Sequence, residues 1–282
     1  MTRKYHEKPI THIGPVSINV LHLERSLTFY KKIIGYQVLE KTNHQAILTV
    51  DGKTPSLILN KPEDVIPKES RTTGLYHFAI LLPQRNFLAN FLRHLLALNI
   101  PFGASDHSVS EAIYLDDPDG NGIEVYCDRP DVSWERVKDG VHMTTERLDG
   151  ENLLQEVDAE WQTLPKGTVM GHIHLHVANL TETEHFYKEG LNFDLTTRYP
   201  GALFMSAGGY HHHLGLNIWN GEGANQPSQN SVGLKWFSIV LADEATREKL
   251  KGQLEKIGAP LKVTENYYET IDPSGNVIRL VV

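Results

Sequence analysis

The 282-residue sequence predicts an α+β fold built from four βαβββ modules, two in each of two tandem domains. Two observations carry this prediction. First, the chain repeats itself: "INVLHLERSLTFYKKIIGYQVL" (18–39) returns as "LHVANLTETEHFYKEGLNFDL" (175–195), so that Val20, Leu23 and Phe29-Tyr30 recur 157 positions later as Val177, Leu180 and Phe186-Tyr187. Internal repetition at a fixed offset marks duplicated structural units. Second, each unit begins with strict apolar/polar alternation and continues with helical spacing of apolar residues, the two periods that distinguish strand from helix.

Module one, 12–60, opens on an alternating strand in which Pro15, Ser17 and Asn19 oppose Val16, Ile18 and Val20. A helix follows in "LERSLTFYKKII", where Leu23, Leu27, Tyr30 and Ile34 fall near one face, and then the strands "QAILTV" and "PSLILN". Module two, 74–128, starts with "GLYHFAILLP", which returns 159 positions on as "GLKWFSIVLA", the start of module four, 233–282. The two modules also share a tail: "DPDGNGIEVY" (117–126) returns as "DPSGNVIRLV" (272–281). Module three, 170–220, opens on "GHIHLHV", where His172, His174 and His176 share one strand face and Ile173, Leu175 and Val177 the other. The polar, proline-bounded segment between the halves reads as a connection with a short helix near 150–161. The domains are therefore set at 1–130 and 169–282, joined by 131–168.

Composition excludes several functions. A net charge of −8 argues against sequence-independent nucleic-acid binding, which needs a basic surface. One cysteine, Cys127, allows no intrachain disulfide. The polar start "MTRKYHEKPITH" lacks an apolar signal-peptide core, and no long apolar run follows, so the reading is cytoplasmic with no membrane partner.

Four βαβββ modules, Phe-Tyr in the first helix and the "DPDGNGIE" turn resemble the vicinal oxygen chelate superfamily, which includes glyoxalase I, fosfomycin- and bleomycin-resistance proteins and extradiol dioxygenases. "YHHHLGLNIW" (210–219) narrows the resemblance to ring-cleaving dioxygenases of the bacterial two-domain catechol-2,3-dioxygenase type. The resemblance implies modules paired into cupped mixed sheets. It also implies a metal ligand on a module's first strand, at Pro15, His77, His172 or Trp236, and a carboxylate after the turn, at Glu124 in module two but Arg279 in module four. A fixed cation at Arg279 would oppose a divalent ion. His77, His172 and Glu124 then form a two-histidine, one-carboxylate set suited to Fe(II), with Mn(II) as the alternative. This set requires modules two and three to share one cup, leaving one and four without ligands.

The same resemblance implies that Tyr114, ten residues before Glu124, lies near the substrate and that His212 is the acid–base group. Alternation places His211 and His213, rather than His212, on the polar face, and a bulge would reconcile the two. His107 is a further candidate for the pocket wall. His174 and His176 read as structural or supporting residues, Trp236 as packing, and Cys127 as lacking any mark of a nucleophile. "DPDGNG" has turn chemistry in its own right and lacks the helices of a calcium-binding loop.

The leading expectation is an extradiol ring-cleaving dioxygenase acting on a catechol or related dihydroxy-aromatic with O2. A glyoxalase-like isomerase or lyase, and a metal-free binding protein of the resistance type, are the alternatives. Substrate identity, native metal and self-association into a homo-oligomer are left open by the sequence.

Overall fold

The computed structural model describes residues 4–138 and 140–282. Module one comprises β1 (His12–Asn19), α1 (Leu23–Phe29), β2 (Gln37–Lys41), β3 (Gln45–Thr49) and β4 (Pro55–Asn60). Module two comprises β5 (Gly74–Leu82), α2 (Arg85–Ala97), β6 (Gly103–Asp106), β7 (Ser110–Asp116) and β8 (Gly122–Asp128). The connection carries β9 (Arg136–Val137), β10 (Gly140–Val141), β11 (Glu146–Arg147) and α3 (Gly150–Leu154). Module three comprises β12 (Val169–His176), α4 (Leu180–His185), β13 (Asp194–Tyr199), β14 (Ala202–Ser206) and β15 (Leu214–Asn217). Module four comprises β16 (Gly233–Val240), α5 (Glu244–Lys256), β17 (Leu261–Val263), β18 (Tyr268–Ile271) and β19 (Val277–Val281). The βαβββ order thus occurs four times.

The modules combine across the halves. An eight-stranded sheet, β17-β18-β19-β16-β1-β4-β3-β2, joins modules four and one. A nine-stranded sheet, β11-β6-β7-β8-β5-β12-β15-β14-β13, joins modules two and three. The seam of the second sheet is the antiparallel pair β5–β12, with Ala79 opposite His172 and His77 opposite His174. On its other side β5 runs parallel to β8, with Ala79 opposite Glu124.

Strand alternation separates a core face from a cup face. Phe78, Ile80 and Leu82 of β5 and Ile173 and Leu175 of β12 join the main core, which also takes in Val16 and Ile18 of β1 and Phe237 and Ile239 of β16. Ala79, on the other face of β5, packs instead with Ala112 and Tyr126. The helices complete the core: Leu23, Leu27, Tyr30 and Ile34 are all buried, as are Leu88, Phe91, Leu92 and Leu95 of α2.

The repeated motifs form a latch between consecutive modules. The Tyr30 hydroxyl donates to Asp117 Oδ2 at 2.8 Å, and the Tyr187 hydroxyl donates to Asp272 Oδ2 at 3.1 Å. Each aspartate also accepts backbone N–H groups of its own turn: Asp119 and Asn121 donate to Asp117, and Ser274 and Asn276 donate to Asp272. Phe-Tyr and Asp-Pro-x-Gly are therefore two parts of one buried hydrogen-bonded joint. Turn chemistry accounts for the "DPDGNG" run.

The connecting helix is shorter than the expected 150–161. It ends at Leu154, after which Gln155, Glu156 and Val157 make tighter turn bonds to Asn152, Leu153 and Leu154, and the Asn90 carboxamide oxygen then accepts from the backbone N–H groups of Asp158 and Ala159.

Candidate metal centre

The sheet register dictates how His77, Glu124 and His172 meet. They stand on adjacent strands β5, β8 and β12. Ala79 lies directly across from both Glu124 and His172, so its small side chain leaves the space between them open. His77, two residues along β5, reaches into that space. The Nε2 atoms of His77 and His172 each lie 3.0 Å from Glu124 Oε2 and 3.4 Å from each other. All three residues are buried, and among the described residues they form the group that could hold a metal ion.

Donor chemistry fits a cation. Two neutral imidazole nitrogens and a carboxylate oxygen direct lone pairs at one point, which is repulsive unless a proton or metal ion shares them. Donors about 2.1 Å from a common ion and at right angles stand about 3.0 Å apart, close to the spacings found. Burial opposes ionisation of Glu124, but His172 and His77 together outweigh it and hold the carboxyl well below its usual range. Burial is also the main cause holding the His172 pKa down, which favours the neutral, ligating imidazole.

The matched position in the other sheet is filled differently. The Arg279 guanidinium lies 4.2 Å from the Trp236 ring centre and 4.4 Å from that of Tyr267, and it donates to Glu269 at 2.9 Å. Here a cation stacked between aromatic rings stands where the other sheet places a carboxylate.

A cavity of about 640 Å³ opens over the three donors. His212 lines it, its ring centre 4.2 Å from that of His172, whereas His211 and His213 are fully buried elsewhere. No bulge is needed: residues 211–213 precede β15, and the strand's alternation begins only at Leu214. Asp128 and His211 set the state of His212. The Asp128 carboxylate can only accept, so His211 donates from Nε2 at 2.9 Å. With its single ring proton on Nε2, His211 would accept at Nδ1 from the Nδ1–H of His212, 2.7 Å away, and that arrangement leaves His212 Nε2 unprotonated. Burial, with His172 and His211 nearby, holds the His212 pKa well below its usual value.

Tyr114 has a comparable partner. Thr144 O accepts from His107 Nδ1 at 2.7 Å, and with the ring's single proton on Nδ1, His107 Nε2 accepts a hydrogen bond from the Tyr114 hydroxyl at 2.6 Å. His174, also on the cavity wall, is held neutral. The backbone N–H of Trp219 donates to Asn217 Oδ1 at 3.0 Å, which orients the carboxamide so that Nδ2 donates to His174 Nε2 at 2.9 Å. The His174 ring fits because residue 215 is glycine: a Cβ there would lie 2.7 Å from His174 Cγ.

His77, Glu124, His172, His212, Tyr114 and His107 thus surround one cavity, as does His174. The supporting parts played by Asp128, His211 and Asn217 were not assigned from sequence. Met143, Thr144 and Thr145, from the segment read only as a connection, also line the cavity. Partners this distant in sequence leave no spacing signal. Burial pushes the Cys127 thiol up to about 12, in keeping with an inert side chain.

The family model for the glyoxalase/bleomycin resistance protein/dioxygenase superfamily matches residues 10–125 and 169–280. The chain belongs to this superfamily. Within it, the chain is 48% identical over 278 residues to the catechol-2,3-dioxygenase of Bacillus subtilis (strain 168), covering 96% of this chain and 98% of that protein. A metallothiol transferase FosB of Lysinibacillus sphaericus (strain C3-41) is 29% identical over 119 residues, 42% of this chain and 82% of its own. The structure of glyoxalase I from Zea mays superposes with a TM-score of 0.59 at 16% identity, over 96% of this chain and 92% of that one, a likeness of fold. No described helix is long and apolar enough to cross a membrane.

Proposed function

We propose that this superfamily member is a metal-dependent extradiol ring-cleaving dioxygenase that acts on a catechol or related dihydroxy-aromatic with O2. The observation that carries the reading is the near-full-length 48% identity to the Bacillus subtilis catechol-2,3-dioxygenase. The site geometry supports it: two histidines and a glutamate converge beside a third histidine, His212, in one cavity.

His77, His172 and Glu124 would hold the ion, Fe(II) in the first instance and Mn(II) as the alternative. When bound, such an ion lowers the pKa of a catechol hydroxyl and brings the two reactants together. The chain's own residues do the rest. His212, with a free Nε2 secured by Asp128 and His211, accepts a proton from the substrate and returns it as the ring opens. Tyr114, its hydroxyl oriented by His107, positions a substrate oxygen. Phe204 and Trp219 offer aromatic surface in the same cavity for the substrate ring.

The duplicated units are assigned to 1–130 and 169–282, each giving one module to each sheet, with 131–168 between them. A cytoplasmic location, and O2 and a small aromatic as partners without nucleic acid, accompany this reading.

An oxygen electrode tests it. Iron-loaded protein supplied with catechol should consume one O2 per ring opened. Oxygen uptake indistinguishable from that of Glu124→Ala would refute the assignment.

A further inference from the structure

We propose that the preferred substrate is a catechol carrying an uncharged apolar substituent, alkyl or aryl, and that catechols with a carboxylate on the ring or one carbon from it are rejected. This rests on the ring-cleaving reading above and concerns the cavity beyond the reacting atoms.

Room is the first consideration. A cavity of about 640 Å³ is in the range that encloses ligands well above one ring in size, roughly 300–1,000 Å³. A catechol held at His77, His172 and Glu124 therefore leaves much of it unfilled.

The lining decides what fills that space. Among the described residues none of those lining the cavity is a lysine or arginine, and the carboxylate among them is Glu124. Four aromatic side chains, Tyr76, Tyr199, Phe204 and Trp219, line the cavity together with the hydroxyls of Ser105, Thr144 and Thr145, and the Tyr76 ring packs 4.9 Å from that of His77. The Tyr76 and Trp219 rings meet edge to face at 5.5 Å, and both are part-exposed, at 40% and 50%. Aromatic faces at a cavity mouth gain by covering apolar surface and by ring–ring contact. A substrate carboxylate placed against them loses its hydration and finds no cation in exchange, a large penalty.

A neighbouring depression shares Met143 and Tyr199 with the cavity and holds Lys138 and Arg198. Both carboxylate oxygens of Glu184 already engage Arg198, at 2.7 Å. Neither Lys138 nor Arg198 lines the cavity itself, so a substrate acid within it meets no lysine or arginine.

The test compares one carbon skeleton in two charge states. The iron-loaded full-length protein is titrated calorimetrically without O2 with catechol, methyl 3,4-dihydroxyphenylacetate and 3,4-dihydroxyphenylacetate, and initial O2 uptake is then measured with each. The ester should bind at least as tightly as catechol, and the free acid at least about 30-fold more weakly than the ester, with the same order in kcat/KM. A smaller gap, or a preference for the acid, overturns the proposal while ring cleavage of catechol stands. Rejection of the ester along with the acid overturns the claim of apolar room. Failure of all three to bind or consume O2 removes the dioxygenase reading itself, and this inference with it.

Discussion

At the scale of single residues, the site separates groups that hold from groups that react. His212 is close to His172 but is not among the three residues whose donor atoms converge. His212→Phe should therefore keep metal content and anaerobic catechol binding while turnover falls roughly 10²–10⁴-fold, the usual contribution of a positioned acid–base group. Unchanged turnover in that variant would move the role elsewhere. Asp128 acts through His211 and contacts no substrate. Asp128→Ala frees the His211 tautomer, so kcat should fall by about 10-fold or more with little change in KM, and Asp128→Glu should recover part of it. Nitrogen NMR of His212 reads the same tautomer directly. A mixture of tautomers in the wild-type protein would contradict the relay.

At the scale of elements, much was legible because the periods are strict. Alternation put His77 and His172 on the cup face of β5 and β12, and helical spacing picked out the buried side of the first helix, Leu23, Leu27, Tyr30 and Ile34. The sequence did not reveal that Phe-Tyr and Asp-Pro-x-Gly touch, since Tyr30 and Asp117 lie 87 residues apart. Nor could alternation orient His211, His212 and His213, which lie outside any strand. The short segment before β1 shows how such contacts govern pH response. His213 Nε2 bonds to Tyr5 O at 3.2 Å, and the His6 ring packs edge-on at 5.3 Å. Tyr210 and Phe193 are the other rings against His213. Burial holds His213 well below its ordinary pKa and lowers that of His6 to about 4. The unfolded chain takes up protons on both near pH 6.5 while the native chain does not. Their stabilising contribution is therefore complete above that pH and is lost as pH falls toward 4. Denaturant midpoints between pH 7 and 5 should fall less steeply in His213→Gln, by up to about 1.4 kcal/mol per pH unit for the one proton removed. An unchanged slope would exclude His213 as a contributor. Gly215→Ala is a steric counterpart: its Cβ meets His174 Cγ at 2.7 Å, so a cost of about 1–3 kcal/mol is expected in the same denaturation measurement.

At the scale of the whole molecule, a duplicated chain brings three convergent donors into one of its two sheets by crossing its halves. Modules two and three share the nine-stranded sheet, and the proposed ligands come from both halves: His77 and Glu124 from the first, His172 from the second. Modules one and four form the other sheet, where Arg279, stacked on Trp236, stands at the position matched to Glu124. Residues 1–130 or 169–282 expressed alone should then bind metal at least about 10-fold more weakly than the whole chain, measured by equilibrium dialysis. The most direct measurement of the central claim is anomalous X-ray diffraction at the iron edge from crystals of the iron-loaded full-length protein. The account predicts one iron peak per chain, about 2.0–2.2 Å from His77 Nε2, His172 Nε2 and a Glu124 oxygen. A peak in the cup of modules one and four, or none between His77 and His172, would contradict it.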